Sequence, residues 1–281
     1  MVPLMSIVFM CITIVFVLLI AVIIPLIMRK KWRVDAAPYF IGYVVFFVFA
    51  LILEATLNNV VVQLTGSAIT DNIWLYAAYG GLAAGIFEET GRFIAIKFIL
   101  KKQQSYPHNA LMYGAGHGCG EAVLLIGMAM VNNIIYSVMI NMGQMNSIIA
   151  ELPADQQALM QTVITQLTDS PSYIFILSLI ERFAAIIMHI SFSVIVWTAV
   201  VKKKTVFFPF AVILHALVDA LILIIQKNIS NLVLTEVIVY VFAGITAFIA
   251  YFIWKKYLKG MESVISENKT AESPLNENKS E

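Results

Sequence analysis

The run IVFMCITIVFVLLIAVIIPLIM, from Ile7 to Met28, decides the fold. It holds no charged residue and stops at Arg29-Lys30-Lys31. A helix needs about 20 apolar residues to cross the hydrocarbon of a bilayer. This run meets that length. It is too long for the core of a cleaved signal peptide, residues 1–6 carry no Lys or Arg, and no small-residue cleavage site follows. The sequence therefore predicts a true membrane span at its start.

Six further segments read the same way, so the spans are roughly 6–28, 38–63, 73–100, 110–139, 173–201, 205–226 and 232–254. Continuous apolar runs lack the alternation of a membrane barrel. Composition agrees: 60% of the chain is hydrophobic and 12% charged, where a soluble domain carries about 25% charged residues. The expected fold is an all-α polytopic membrane protein, a bundle of about seven transmembrane helices. Cys11 and Cys119 lie in apolar stretches and suggest neither a disulfide framework nor a Cys-rich zinc site.

Basic residues orient the bundle. Arg29, Lys30, Lys31 and Arg33 follow the first span, and Lys101 and Lys102 the third. Lys202, Lys203 and Lys204 follow the fifth, and Lys255, Lys256 and Lys259 the seventh. The alternate loops hold only Lys227. Positive charge collects on the cytoplasmic side, so the N-terminus is expected outside and the C-terminus in the cytoplasm. The chain divides into a transmembrane domain at 1–255, an extracytoplasmic loop at 140–172 and a cytoplasmic tail at 256–281. Within the loop, Pro153 to Leu167 predicts a short amphipathic helix. The tail's Glu, Asn, Ser and Lys predict disorder.

Charge inside the spans is the second signal. An ionisable residue at a span's centre costs roughly 2.5–3.5 kcal/mol on insertion scales. Span 3 holds Glu88, Glu89 and Arg92; span 4 holds His117 and Glu121. Span 5 holds Glu181, Arg182 and His189; span 6 holds His215 and Asp219. Counted from the basic ends at 1.5 Å per residue, Glu88 and Glu89 lie ~17 Å deep, Glu121 ~16 Å, His189 ~18 Å and His215 ~15 Å. Four helices thus deliver acids and imidazoles to one layer. His117–Glu121, His215–Asp219 and Glu88–Arg92 are each spaced to share a helix face. Glycines around His117 (GAGHGCGE) permit close helix approach.

Two chemistries suit this set. A carboxylate in a low dielectric can act as general base on water, with Arg92 holding a neighbouring carboxylate ionised. Alternatively His117, Glu121, His189 and His215 could ligate Zn2+ and leave a position for water. Asp219 or His215 would then stabilise the oxyanion. Both hydrolyse a peptide bond.

At these residues the chain resembles a family. Glu88-Glu89-Thr90-Gly91-Arg92 is similar to the Glu-Glu opening motif of the type II CAAX protease and bacteriocin-processing superfamily. His117-Gly-Cys-Gly-Glu121 and His215-Ala-Leu-Val-Asp219 resemble its second and third motifs. The nearest resemblance is to the YhfC family of bacterial intramembrane metalloproteases, with PrsW-type proteases more distant. The resemblance implies catalytic roles for Glu88, Glu89, Arg92, Glu121, His215 and Asp219, with a Glu of the first motif activating water. Of the two, Glu89 is slightly favoured as base over Glu88. It implies a multi-pass protein of the bacterial plasma membrane. There are departures: the CAAX enzymes have one more residue between the Glu pair and Arg, and their second motif ends in His where this chain has Glu121. These weigh against a prenylated CAAX substrate.

The expected partners are the lipid bilayer and a membrane-embedded peptide or protein substrate; no nucleic-acid partner is expected. Two other functions compete. Acid and His chains also build proton relays, so an ion-coupled transporter is the runner-up. An inactive membrane scaffold is the third. Structural alternatives stand beside each residue: an internal ion pair for Glu88, Glu89 and Arg92, a hydrogen-bonded structural role for His189, and a packing pair for Glu181 and Arg182. Glu54, Asn58 and Glu236 read as packing or access groups, and His108 as solvated.

Overall fold

Within hydrocarbon every backbone N–H and C=O must find its partner inside the protein, so long apolar runs become helices. The computed structural model of this chain describes residues 1–261. Its described residues form helices and connecting turns, with no strand. The predicted disordered tail lies largely outside them.

Eight principal helices follow in order. They are α1 (Leu4–Trp32), α2 (Ala37–Thr65), α3 (residues 73–99), α4 (His108–Asn141), α5 (Ala154–Asp169), α6 (Ile174–Val201), α7 (Phe207–Asn228) and α8 (Leu232–Leu258). Among the described residues, six are long and apolar enough to cross a membrane: α1, α2, α4, α6, α7 and α8. Helix α3 is of comparable length, but Glu88, Glu89 and Arg92 dilute its apolar character. It occupies the place of the expected third span but is not among these six. Helix α5 begins directly after Pro153, where the sequence predicts a short helix, and buries Leu167 against Val2, Met10, Met130 and Phe175.

Local signals explain the ends. The Asn72 side chain accepts from the Trp74 and Leu75 N–H groups at 3.0 and 3.3 Å and so starts α3. Arg29, Lys30 and Lys31 occupy the last turn of α1, where the helix dipole favours cations.

Helix α6 is the most buried of the six spans and forms the axis of the bundle. It packs against α4 on one side and α8 on the other, while α3 pairs with α7 and α2 with α4. Large apolar side chains such as Phe16, Leu19, Phe40, Ile213 and Phe248 remain on the outer surface, as a lipid-facing shell requires.

Close helix crossings depend on glycine. A Cβ on Gly116 would stand 2.0 Å from the Tyr39 carbonyl oxygen, and one on Gly85 would stand 2.6 Å from that of Val212. Backbone blocks each position, so α4 meets α2 and α3 meets α7 at near contact. Overpacking costs typically 1–3 kcal/mol. Gly116→Ala is therefore expected to lose about 1–3 kcal/mol or more, read as a lower unfolding midpoint in detergent. Gly244→Ala, with nothing within 4 Å, is its neutral control.

The helices are not regular throughout. Wide π turns occupy Phe47–Glu54 in α2, Ala95–Ile99 in α3 and Ala122–Gly127 in α4. The last two directly follow the charged clusters at Glu88–Arg92 and His117–Glu121. A π turn changes the direction in which later side chains face, and such turns recur at functional sites.

Candidate active site

The first cluster comes from α3 and splits into two halves. Adjacent residues on a helix point about 100° apart, so Glu88 and Glu89 face different neighbours. Glu88 meets α4: its Oε2 lies 2.8 Å from His117 Nε2. Glu89 meets α7: its Oε1 accepts from His215 Nδ1–H at 2.8 Å. Arg92 Nη1 lies 3.4 Å from that same Glu89 oxygen. The arginine thus neutralises Glu89, where face-sharing alone had pointed to Glu88.

Helix α6 supplies the hub. His189 Nε2–H donates to Glu121 Oε2 at 2.5 Å. On its other edge, Arg92 Nη2 lies 3.3 Å from His189 Nδ1 and Nη1 donates to the His189 carbonyl at 3.2 Å. Arginine has no acceptor atom, so this network leaves the Nδ1 lone pair facing Arg92 and Glu88, whose Oε2 is 3.8 Å away. The rings of His117 and His189 lie side by side, tilted by 34° with centroids 4.7 Å apart.

Helix α7 closes the other flank. His215 Nε2 lies 3.4 Å from Asp219 Oδ2. A neutral imidazole has one N–H, so serving Glu89 and Asp219 together takes the doubly protonated ring. Phe192 stacks on His215 at 4.5 Å and also lies 5.9 Å from the Arg92 guanidinium carbon, which packs both groups against one apolar plate.

The eight residues named as catalytic or metal-binding candidates lie in one continuous network, from Asp219 through His215, Glu89, Arg92 and His189 to Glu121, with Glu88 and His117 alongside. Two further groups belong to it. Arg182 binds Glu121 through Nη1 and Glu181 through Nη2 at 3.0 Å. The sequence reading left this pair outside the site, yet Arg182 lies two helical turns from His189 on α6, and that spacing was the available signal. Glu54 and Asn58 of α2, read as packing or access groups, line the same cavity as the acids and histidines. His108, expected to be solvated, instead sits among the rings of Trp32, Tyr106 and Trp254 at 5.1–5.2 Å.

Burial divides the network. Glu89, Arg92 and His117 have no exposed surface. Glu88, Glu121, His189, His215 and Asp219 line a cavity of about 420 Å3. Glu89 Oε2 and His117 Nδ1 are buried without a hydrogen-bond partner, so the cluster retains unmet polar capacity.

A metal could be held by Glu88, His117 and His189, whose donor atoms lie within 4.8 Å of one another. This set differs from the one expected. Glu88 enters it, while Glu121 is taken by Arg182 and His189, and His215 by Glu89 and Asp219.

Comparisons with known proteins give the family. The YhfC intramembrane metalloprotease family matches residues 16–239, a region containing every residue of the network. The Bacillus subtilis (strain 168) protein described as "Uncharacterized membrane protein YhfC" is 33% identical over 224 residues, covering 78% of this chain and 85% of the relative. No solved structure matches. The chain is thus a multi-pass protein of the bacterial cell membrane and belongs to the YhfC intramembrane metalloprotease family.

Proposed function

We propose that this protein is a zinc-dependent intramembrane peptidase acting on membrane-embedded peptide segments. What carries the reading is the convergence of four helices on one cavity inside the bundle, with a two-histidine, one-carboxylate group beside it, of which Glu88 and His189 line the wall and His117 lies buried behind them. Packing alone does not require so many ionisable groups where each is costly.

The donors suit zinc. A tetrahedral ion with bonds of ~2.0–2.1 Å sets its ligands about 3.4 Å apart. The Glu88–His117 and Glu88–His189 separations of 2.8 and 3.8 Å bracket that spacing. Side-chain shifts on the order of 1 Å would bring Glu88, His117 and His189 into the required geometry. Bound there, zinc would supply Lewis acidity toward a peptide carbonyl.

The chain's own groups divide the proton work. The sequence reading favoured Glu89 as base, but Glu89 is sealed between His215 and Arg92 and does not line the cavity. We assign that role to Glu121, which does line the cavity, whose charge Arg182 neutralises and whose other oxygen accepts from His189 Nε2–H. His215 presents Nε2 on the cavity side beside Asp219 and gives its proton to the departing amine. Glu89 and Arg92 position His215 and His189 and touch no substrate.

The test has two parts. Purified protein is expected to contain about one zinc per chain, removable by a strong chelator. Membranes of cells producing the protein are expected to contain new peptide N-termini inside membrane segments, absent from cells that lack it and from chelated membranes. Stoichiometric zinc-free protein that still generates those termini would reject the metal assignment. Identical sets of termini with and without the protein would reject the peptidase.

A further inference from the structure

The cavity has two ends of different character. One end is closed. Ile96, Leu100, Tyr113, Phe192 and Trp197 are fully buried there, and they fill the bundle between the site and the ends that carry Lys101, Lys102 and Lys202. The other end reaches Tyr76 and Gln226. Tyr76 lies ~5 Å from the start of α3, and Gln226 ~3 Å from the end of α7, at 1.5 Å per residue. The cavity is therefore a shaft that runs from the histidines toward the helix ends opposite the basic loops.

Helix α2 places a polar group on the wall of this shaft. Tyr79 of α3 donates its hydroxyl to Asn58 Oδ1 at 2.7 Å, and Asn58 Nδ2 donates to Glu54 Oε1 at 3.2 Å. Asn58 thus ties Glu54 to α3 and fixes it over the lumen. Glu54 ends the π turn Phe47–Glu54, within the apolar run FVFALILE. Arg182 and the site histidines are committed to the other acids, and no cation among the described residues forms an ion pair with Glu54. A charged group in such surroundings is costly until an opposite charge meets it.

We infer that Glu54 is the specificity-determining residue of this shaft, accepting an ammonium or guanidinium group carried by a segment that enters from the face opposite the basic loops. The bound group is a Lys or Arg side chain, or a free amino terminus. Neutral Asn58 supplies a second polar contact without competing for the charge. The inference rests on the peptidase reading only in calling that segment a substrate. The reacting groups lie toward the basic ends, and the way in comes from the other face.

The experiment uses the full chain in sealed membrane vesicles of both orientations. Ala50→Cys and, independently, Leu223→Cys place a thiol on the shaft wall, with the parent chain giving the background from Cys11 and Cys119. The probes are two impermeant methanethiosulfonates, one bearing trimethylammonium and one bearing sulfonate. Labelling is expected from the face opposite the basic loops. The cationic reagent should react about tenfold faster than the anionic one, because a cleft lined by one sign of charge concentrates the opposite sign. Glu54→Gln should bring the two rates toward equality. Labelling only from the basic face, no labelling at either cysteine, or a rate ratio unchanged by Glu54→Gln would overturn the inference. Labelling needs no turnover, so such a failure leaves the peptidase reading to be judged separately by its membrane N-termini.

Discussion

Arg92→Met is expected to cost about 3–5 kcal/mol of folding free energy, the range for stranding one partner of a buried ion pair. Arg92 is fully buried and ties α3 to α6. It neutralises Glu89 on its own helix, donates to the His189 carbonyl on α6, and contacts the His189 ring. Methionine fills much of the volume but leaves Glu89 without its guanidinium partner, so that His215, shared with Asp219, is the one charge left facing it. The check is a reversible unfolding titration in mixed micelles. If the stranded charge is the cause, adding Glu89→Gln to Arg92→Met should recover a large part of the loss, because both charged partners are then gone. Equal instability of the single and double variants would instead assign the loss to the His189 contacts.

His117→Ala and His189→Ala are each expected to abolish bound metal and reduce cleavage by more than about 100-fold, beyond the 10–100-fold typical of outer-shell partners. His215→Ala is expected to reduce cleavage while leaving the metal in place. This contrast follows from the geometry. His117 and His189 both approach Glu88, whereas His215 is occupied by Glu89 on one ring nitrogen and faces Asp219 with the other. Metal analysis of the three purified variants, alongside their membrane N-termini, separates the roles. Loss of metal in His215→Ala would place His215 among the ligands and undo the proposed division of labour. His189→Ala should also loosen α6, since it frees Glu121 and one contact of Arg92.

The apolar runs of this chain determined a great deal unaided. Backbone polar groups have no partner in hydrocarbon, so the runs had to be helices, and their lengths set the spans from Leu4 to Leu258. Charge is costly in those helices, so the exceptions (Glu88, Glu89, Arg92, His117, Glu121, His189, His215 and Asp219) stood out as a site, and a rise of 1.5 Å per residue put most of them in one layer. Depth, however, is only one coordinate. Which group faces which depends on rotation about each helix axis and on the π turns that reset it, and neither can be read from spacing. Only the tertiary structure paired Arg92 with Glu89 rather than Glu88, brought Arg182 onto Glu121, and drew Glu88 toward the two histidines. It alone decided where the cavity leads, because a path through a bundle is set by packing: large side chains fill one end, while Gly80 and Glu54 line the open wall.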